Sequence, residues 1–333
     1  MKTDLNTQVV CTLSLTLFLS SIGSILGQGS LTPPGAPAPT MKSLSQIEAR
    51  TPIPTAPFTV LQSGSYYLTT NIVVSSGDAV TISANNVTLD LNGFSISSTA
   101  PSAAGMGINL GATRRQTNIT ILNGFITGSV TNDNSGNYGG GGFSYGIGYS
   151  GVNFPRNVRV SGVSVSGCLV DGINVHSTST MVQSCSVTTA GGYGILAQIV
   201  SDSTAVDCAG TAAIYASQTA HNCSASNIGT GYGLFTYAAN NCYGNASSND
   251  GINALTANNC TGASTDGTGV RSLIAANCYG QSFYGTGLSA TIAIGCYGDS
   301  FYGDGLSVVT ANSCYGNSSA GTAQSITNKY NMP

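Results

Sequence analysis

Four stretches, GINALTANNCTGASTDGT (Gly251–Thr268), GVRSLIAANCYGQSFYGT (Gly269–Thr286), GLSATIAIGCYGDSFYGD (Gly287–Asp304) and GLSVVTANSCYGNSSAGT (Gly305–Thr322), follow one another without a gap, each 18 residues long. Their consensus is G-L-x-A-x-x-A-x-N-C-Y-G-x-S-x-x-G-x. Its apolar columns are Ile252, Val270, Leu288 and Leu306; Ala257, Ala275, Ala293 and Ala311; and Cys260, Cys278, Cys296 and Cys314. Repetition at a short fixed period marks a solenoid, in which each coil buries its apolar side chains against its neighbours. Three apolar columns per repeat predict three short faces per coil, each side chain lying over its equivalent at about the 4.8 Å strand spacing. The interior of such a coil is narrow, and Cys, Ala and one branched aliphatic fill it without overpacking. Corner glycines are expected to supply positive φ.

Upstream the columns persist with looser spacing. Cysteines recur at 168, 185, 208, 223 and 242, and Ile173, Ile195, Ile214 and Leu234 extend the branched column. Further back the signal is strict alternation, as in VTIS (Val80–Ser83), VTLDL (Val87–Leu91), ITIL (Ile119–Leu122) and VRVS (Val158–Ser161). Period two means short strands with one buried face. Turn pairs such as Asn92-Gly93 and Asn123-Gly124 separate them, and long helical patterns are absent, so the chain reads as all-β.

The strings NVTLDLNGFSI (Asn86–Ile96), NITILNGFI (Asn118–Ile126) and NVRVSGVSV (Asn157–Val165) resemble rungs of the pectate-lyase-like right-handed parallel β-helix superfamily. The likeness runs from about Val80 to Ser319. It implies a right-handed parallel β-helix and leaves activity open, because that superfamily holds lyases, glycoside hydrolases, viral tail spikes, adhesins and proteins without known chemistry. Left-handed hexapeptide helices also use 18-residue coils, but the upstream cysteine intervals, between 15 and 23 residues, depart from a six-residue rule.

Composition narrows the partners. The 333 residues include only 9 Lys plus Arg and 12 Asp plus Glu, with 44 Gly, no Trp and a net charge of −3. Such a chain lacks the basic patch a nucleic-acid binder needs and the polybasic stretch of a membrane-surface protein. The apolar run beginning at Val9 reads as a signal peptide over residues 1–28, a non-cleaved anchor being the alternative. Residues 29–57, rich in Pro, read as a linker or N-terminal cap with a short helix over Met41–Arg50, and 58–333 as the β-helix. The mature chain is expected to be secreted or at the cell surface, with no membrane span.

Two classes of function fit. The first is a non-catalytic solenoid that binds a polysaccharide or cell-surface glycan, or self-associates, through an outward aromatic face: Tyr243, Tyr279, Tyr297 and Tyr315, interrupted by Thr261, with Tyr284 and Tyr302 beside Phe283 and Phe301. The second is a lyase or glycoside hydrolase acting on acidic polysaccharide. For it the sequence offers one grouping, Asp171 as acid, His176 as base and Arg159 as cation; there is no adjacent Asp pair and no Gly-His-Gly. Asp171, Asp250 and Asp304 share one repeat column and also read as corner residues bonding their own turns. No cofactor or metal is implied: C-x-x-C is absent, His221 lacks companion ligands, and the glycine-rich stretch Asn134–Gly151 lacks the Lys that phosphate binding needs. That stretch is expected to project as a loop. Stacked cysteines lie within bridging distance, but parallel in-register side chains and an odd number favour buried free thiols. The Asn column preceding the cysteines is expected to form amide ladders along the axis.

Overall fold

The computed structural model describes residues 48–111, 115–152 and 154–332. The signal peptide over 1–28 and all but the last residues of the Met41–Arg50 helix lie outside them. Residues from Arg50 onward form one compact unit, a parallel β-solenoid of about 15 turns with rungs of roughly 19 residues. Its strands join one sheet apart from a single antiparallel pair. No helix occurs among the described residues, so none there is long and apolar enough to cross a membrane.

The first strand among the described residues, Thr51–Ile53, pairs with Tyr66–Leu68, so solenoid pairing reaches into the Pro-rich segment. Pro52 is tolerated there because, among the described residues, the strand is an edge, where a missing donor costs no ladder bond. In the C-terminal half each coil has a long strand, such as Val270–Ala276, and a short one, such as Tyr279–Ser282. The long strand breaks its alternation at Leu273–Ile274, both exposed, where it turns a corner. This divides the coil into the three faces the repeat implies. Register is unbroken over Ile252↔Val270↔Leu288↔Leu306 and Ala257↔Ala275↔Ala293↔Ala311.

The cysteines form two columns rather than one. Cys168, Ala190 and Cys208 stack together, and their column continues through Asn227 and Ala246 into Ser264, Ser282, Ser300 and Ser318. The other column runs from Cys185 through Ser203 to Cys223, and on through Cys242, Cys260, Cys278, Cys296 and Cys314 to Met332. Along it backbone N–H groups donate to the next coil: Cys185 to Ser203 Oγ (3.1 Å), Cys278 to Cys296 Sγ (3.5 Å), Cys296 to Cys314 Sγ (3.4 Å) and Cys314 to Met332 Sδ (3.2 Å). Two interleaved columns explain the uneven upstream intervals. All nine described cysteines are free and buried, and burial pushes Cys168 up to about 12 and Cys185 up to about 11.

Corner chemistry differs from expectation in two ways. In the repeat the left-handed corner is taken by Asn241, Asn259, Asn277 and Ser313, with glycine only at Gly295. Asparagine tolerates that conformation because its short polar side chain bonds locally. In the predicted column Asn222 Nδ2 donates to Asp202 Oδ1 of the preceding coil (3.0 Å), and the amide-to-amide ladder stands at a different corner, where Asn118 Nδ2 donates to Asn86 Oδ1 (2.7 Å) and Asn157 Nδ2 to Asn118 Oδ1 (2.8 Å). The glycine after each cysteine has no left-handed φ and is required for space: a Cβ on Gly280 would collide with the Gly287 carbonyl. The consensus serine is a buried staple, with Ser300 Oγ donating to Gly285 O (2.7 Å) and accepting from Gly303 N (2.9 Å).

The glycine-rich stretch projects only in part. Ser129–Asn132 and Tyr138–Gly141 form the antiparallel hairpin, held to the body by Tyr138 Oη and Asn132 Nδ2, which donate to Asp207 Oδ1 (2.9 and 2.7 Å). Phe143 is fully buried, and Tyr145–Gly148 is a solenoid strand between Met106–Asn109 and Ile173–Asn174. Small residues disguise this rung because Gly146 lies against Val165 and the Gly172 carbonyl.

The thiol column makes a stability prediction. Cys278→Ser should cost under about 1 kcal/mol, since a hydroxyl can donate to Ala276 O as the thiol does and Ser203 already occupies an equivalent position. Cys278→Leu should cost about 1–3 kcal/mol by overpacking. Denaturant midpoints of the two variants check the order; equal losses would refute it.

Candidate functional site

Strand alternation places residues i, i+2 and i+4 on one face. On Tyr279–Ser282, Tyr297–Ser300 and Tyr315–Ser318 this sends Tyr outward, buries Gly, sends Gln281, Asp299 or Asn317 outward, and buries Ser282 and Ser300. Register then builds columns. Tyr279 and Tyr297 stack at 5.3 Å between centroids, and Tyr297 and Tyr315 stack likewise at 5.3 Å. Tyr243 stands apart because Thr261 occupies the intervening coil. Just past the strand ends Phe283 stacks on Phe301 (5.2 Å) and Tyr284 on Tyr302 (5.3 Å).

A trough of about 300 Å³ runs along this face, lined by Asn245, Gln281, Asp299 and Asn317 and walled by Phe283 and Phe301. Its floor is organised, with Asn317 Nδ2 donating to Asp299 Oδ1 (2.8 Å). Partial burial, with Asp299 nearby, holds the Tyr279 and Tyr297 phenols above their ordinary range, so both are neutral donors at physiological pH. The face therefore offers two aromatic rails with amide and carboxylate groups between them.

The acid-base grouping is arranged differently from its sequence reading. Asp171 is buried; it accepts Asn174 Nδ2 (2.7 Å) and the Tyr193 backbone N–H of the next coil (2.8 Å). Asn174 Oδ1 in turn accepts the His176 backbone N–H (3.3 Å), so Asp171 is linked to the main chain of His176 rather than to its ring. Asp250, in the same D-G-I-N string, repeats the pattern with Asn253 (2.9 Å) and Thr268 N (2.9 Å) and adds an ion pair to Arg271 (2.8 Å). Asp78 does so with Asn109 (2.6 Å) and Met106 N (2.9 Å). These carboxylates staple one coil to the next, reaching beyond their own turns. Burial raises the Asp171 pKa above the ordinary value of 3.8, opposed by its bonds from Asn174 and Tyr193.

Arg159 is exposed within Arg156–Cys168, in register with Thr120 and Met181. The groove beside His176 is lined instead by Arg115 and Arg156. The left-handed Asn157 (φ 51°) turns the chain between the two arginines, which separates Arg156 from Arg159. Two features escaped the sequence reading. Tyr215 stacks on Phe235 (5.1 Å) and meets the edges of Tyr193 and His176; its signal was the outward column Leu196↔Tyr215↔Phe235. An exposed aliphatic ridge of Leu255, Leu273, Ile274, Ile292, Ile294 and Val309 follows the corner of the long strands.

No protein-family profile and no curated protein sequence matches the chain. Among solved structures it is similar to a GH136 lacto-N-biosidase from Eubacterium ramulus, at 11% identity and a TM-score of 0.32, covering 83% of this chain and 58% of that one. It is also similar to the Dettilon tailspike protein, at 13% identity and a TM-score of 0.30, covering 84% of this chain and 61% of that one. The chain thus spans about three fifths of the length of each.

Proposed function

We propose that the protein is a secreted or cell-surface, non-catalytic solenoid that binds a glycan along the tyrosine-bearing face of its C-terminal coils. The observation that carries this reading is the pair of parallel aromatic rails, Tyr279–Tyr297–Tyr315 and Phe283–Phe301, with Gln281, Asp299 and Asn317 between them. Strand rise puts the polar row about 7 Å from the tyrosines, and the phenylalanines follow just past the strand ends. Aromatic faces supply flat apolar platforms, the phenol tips and amides supply hydrogen bonds, and a coil-built scaffold holds both in place before binding.

The test is titration with neutral oligosaccharides. Tyr297→Ala should weaken binding about tenfold with far-ultraviolet circular dichroism and melting temperature nearly unchanged. A Tyr297→Ala, Phe301→Ala double variant that binds as tightly as the parent would contradict the reading.

For the lyase or hydrolase reading, Asp171 is the residue to examine, and its repetition at Asp78 and Asp250 supports a structural role. Because the folded state raises its pKa, the native protein holds that proton more tightly than the unfolded chain, and stability falls as pH rises from the ordinary carboxylate value to the raised one. The parent should therefore lose stability relative to Asp171→Asn as pH rises above the ordinary carboxylate value of 3.8, as read by thermal melts. Uronic-acid polymers should yield no unsaturated product by ultraviolet absorbance; turnover that disappears in Asp171→Ala would instead establish the enzyme.

A further inference from the structure

The groove beside His176, of about 360 Å³, lies on earlier coils than the tyrosine face and is lined by Arg115, Phe154, Arg156, His176, Gln198 and Ser217, among others. It has no acidic residue in its lining, although it draws two guanidinium groups from a chain holding only 9 Lys plus Arg. Among the described residues neither Arg115 nor Arg156 forms an ion pair or a side-chain hydrogen bond. Of the other described arginines, Arg50 and Arg271 meet carboxylates and Arg159 stands alone on an exposed strand face, so this groove is where two unpaired guanidinium groups come together. Two uncompensated cations facing one groove repel each other until an anion joins them.

The rest of the lining is ordered. Arg156 opens its strand in register with Thr117, so the coil ladder brings it beside the segment that carries Arg115. Gln198 Oε1 accepts the Ser179 N–H (2.6 Å), and its backbone N–H donates to Thr180 Oγ1 (2.9 Å), which leaves the Nε2 amide as a fixed donor. His176 sits edge-on to Tyr215 (6.0 Å) and Phe154 edge-on to Tyr149 (5.3 Å), so both rings are held. Hydroxyl, amide, aromatic and cationic groups thus converge on one groove.

We propose that this groove binds an acidic saccharide, with a carboxylate or sulfate group between Arg115 and Arg156 and a sugar ring against Phe154. Arginine's planar fork matches either oxyanion with paired, charge-assisted bonds. A polymeric phosphate is a poor fit, because nucleic-acid affinity grows with the number of phosphates neutralised and two arginines neutralise few.

The experiment is calorimetric titration of the intact protein with a uronic-acid oligosaccharide, a sulfated oligosaccharide and a neutral one of equal length, with inorganic sulfate as a further arm. At least one acidic sugar should bind tenfold or more tighter than the neutral one at this groove. That preference should vanish in Arg156→Gln and in Arg115→Gln, persist in Tyr297→Ala, and weaken as salt is raised. The uronic and sulfated arms identify the oxyanion. Inorganic sulfate binding as tightly as the sulfated sugar, acidic and neutral sugars binding alike, or full acidic binding in the Arg115→Gln, Arg156→Gln double variant would each overturn the proposal. Because Tyr297→Ala reports on the tyrosine face and the arginine variants on this groove, failure of one leaves the other standing.

Discussion

The backbone ladder from coil to coil is the constraint on which everything else depends. Gly251 N–H donates to Thr268 O (2.8 Å), Gly269 to Thr286 O (2.9 Å) and Gly287 to Asp304 O (2.8 Å), one step per coil. A parallel ladder leaves equivalent residues no choice but to stand over one another. Each column must therefore be compatible with itself: branched aliphatics on aliphatics, sulfur on sulfur, Tyr on Tyr. The repeat is the sequence-level record of that self-compatibility. It also explains the scarcity of charge, since a column of like charges would repel along its whole length. Where carboxylates are admitted, as at Asp78, Asp171 and Asp250, each is bonded to an asparagine and to the next coil's backbone.

What could be read without coordinates follows from the same constraint. Columns with an 18-residue step, the Ala and aliphatic interiors and the stacked tyrosines were legible because equal spacing means equal position. Features that break the step were not. The two cysteine columns look like one irregular series because Cys168 and Cys208 interleave with Cys185 and Cys223. Tyr145–Gly148 hides as a glycine-rich loop because its neighbours leave no room for larger side chains. The exchange of Arg159 for Arg156 turned on one left-handed residue, Asn157, that period-two counting passes over. Motif spelling misled about chemistry as well: asparagine before cysteine suggests an amide ladder, yet at Asn241, Asn259 and Asn277 it serves a backbone conformation.

A scaffold of this kind separates stability from recognition. Interior columns and corner staples, such as Ser282 and Ser300, hold the coils, and outward positions are free to vary with little effect on packing. The C-terminal coils use that freedom for aromatic rails. Earlier coils use it for an arginine-lined groove at a corner, beside the Asn86–Asn118–Asn157 ladder.

Vertical register is open to direct measurement. Ser224 and Tyr315 belong to one column, linked through Tyr243, Thr261, Tyr279 and Tyr297. Replaced by Cys and spin-labelled, while the native thiols stay buried, the two sites should give one narrow distance distribution centred near about 24 Å, five steps of the strand spacing. A broad distribution, or a centre displaced by more than about two such steps, would mean that the coils do not stack in register, and the columns and both proposed binding faces built on them would not exist.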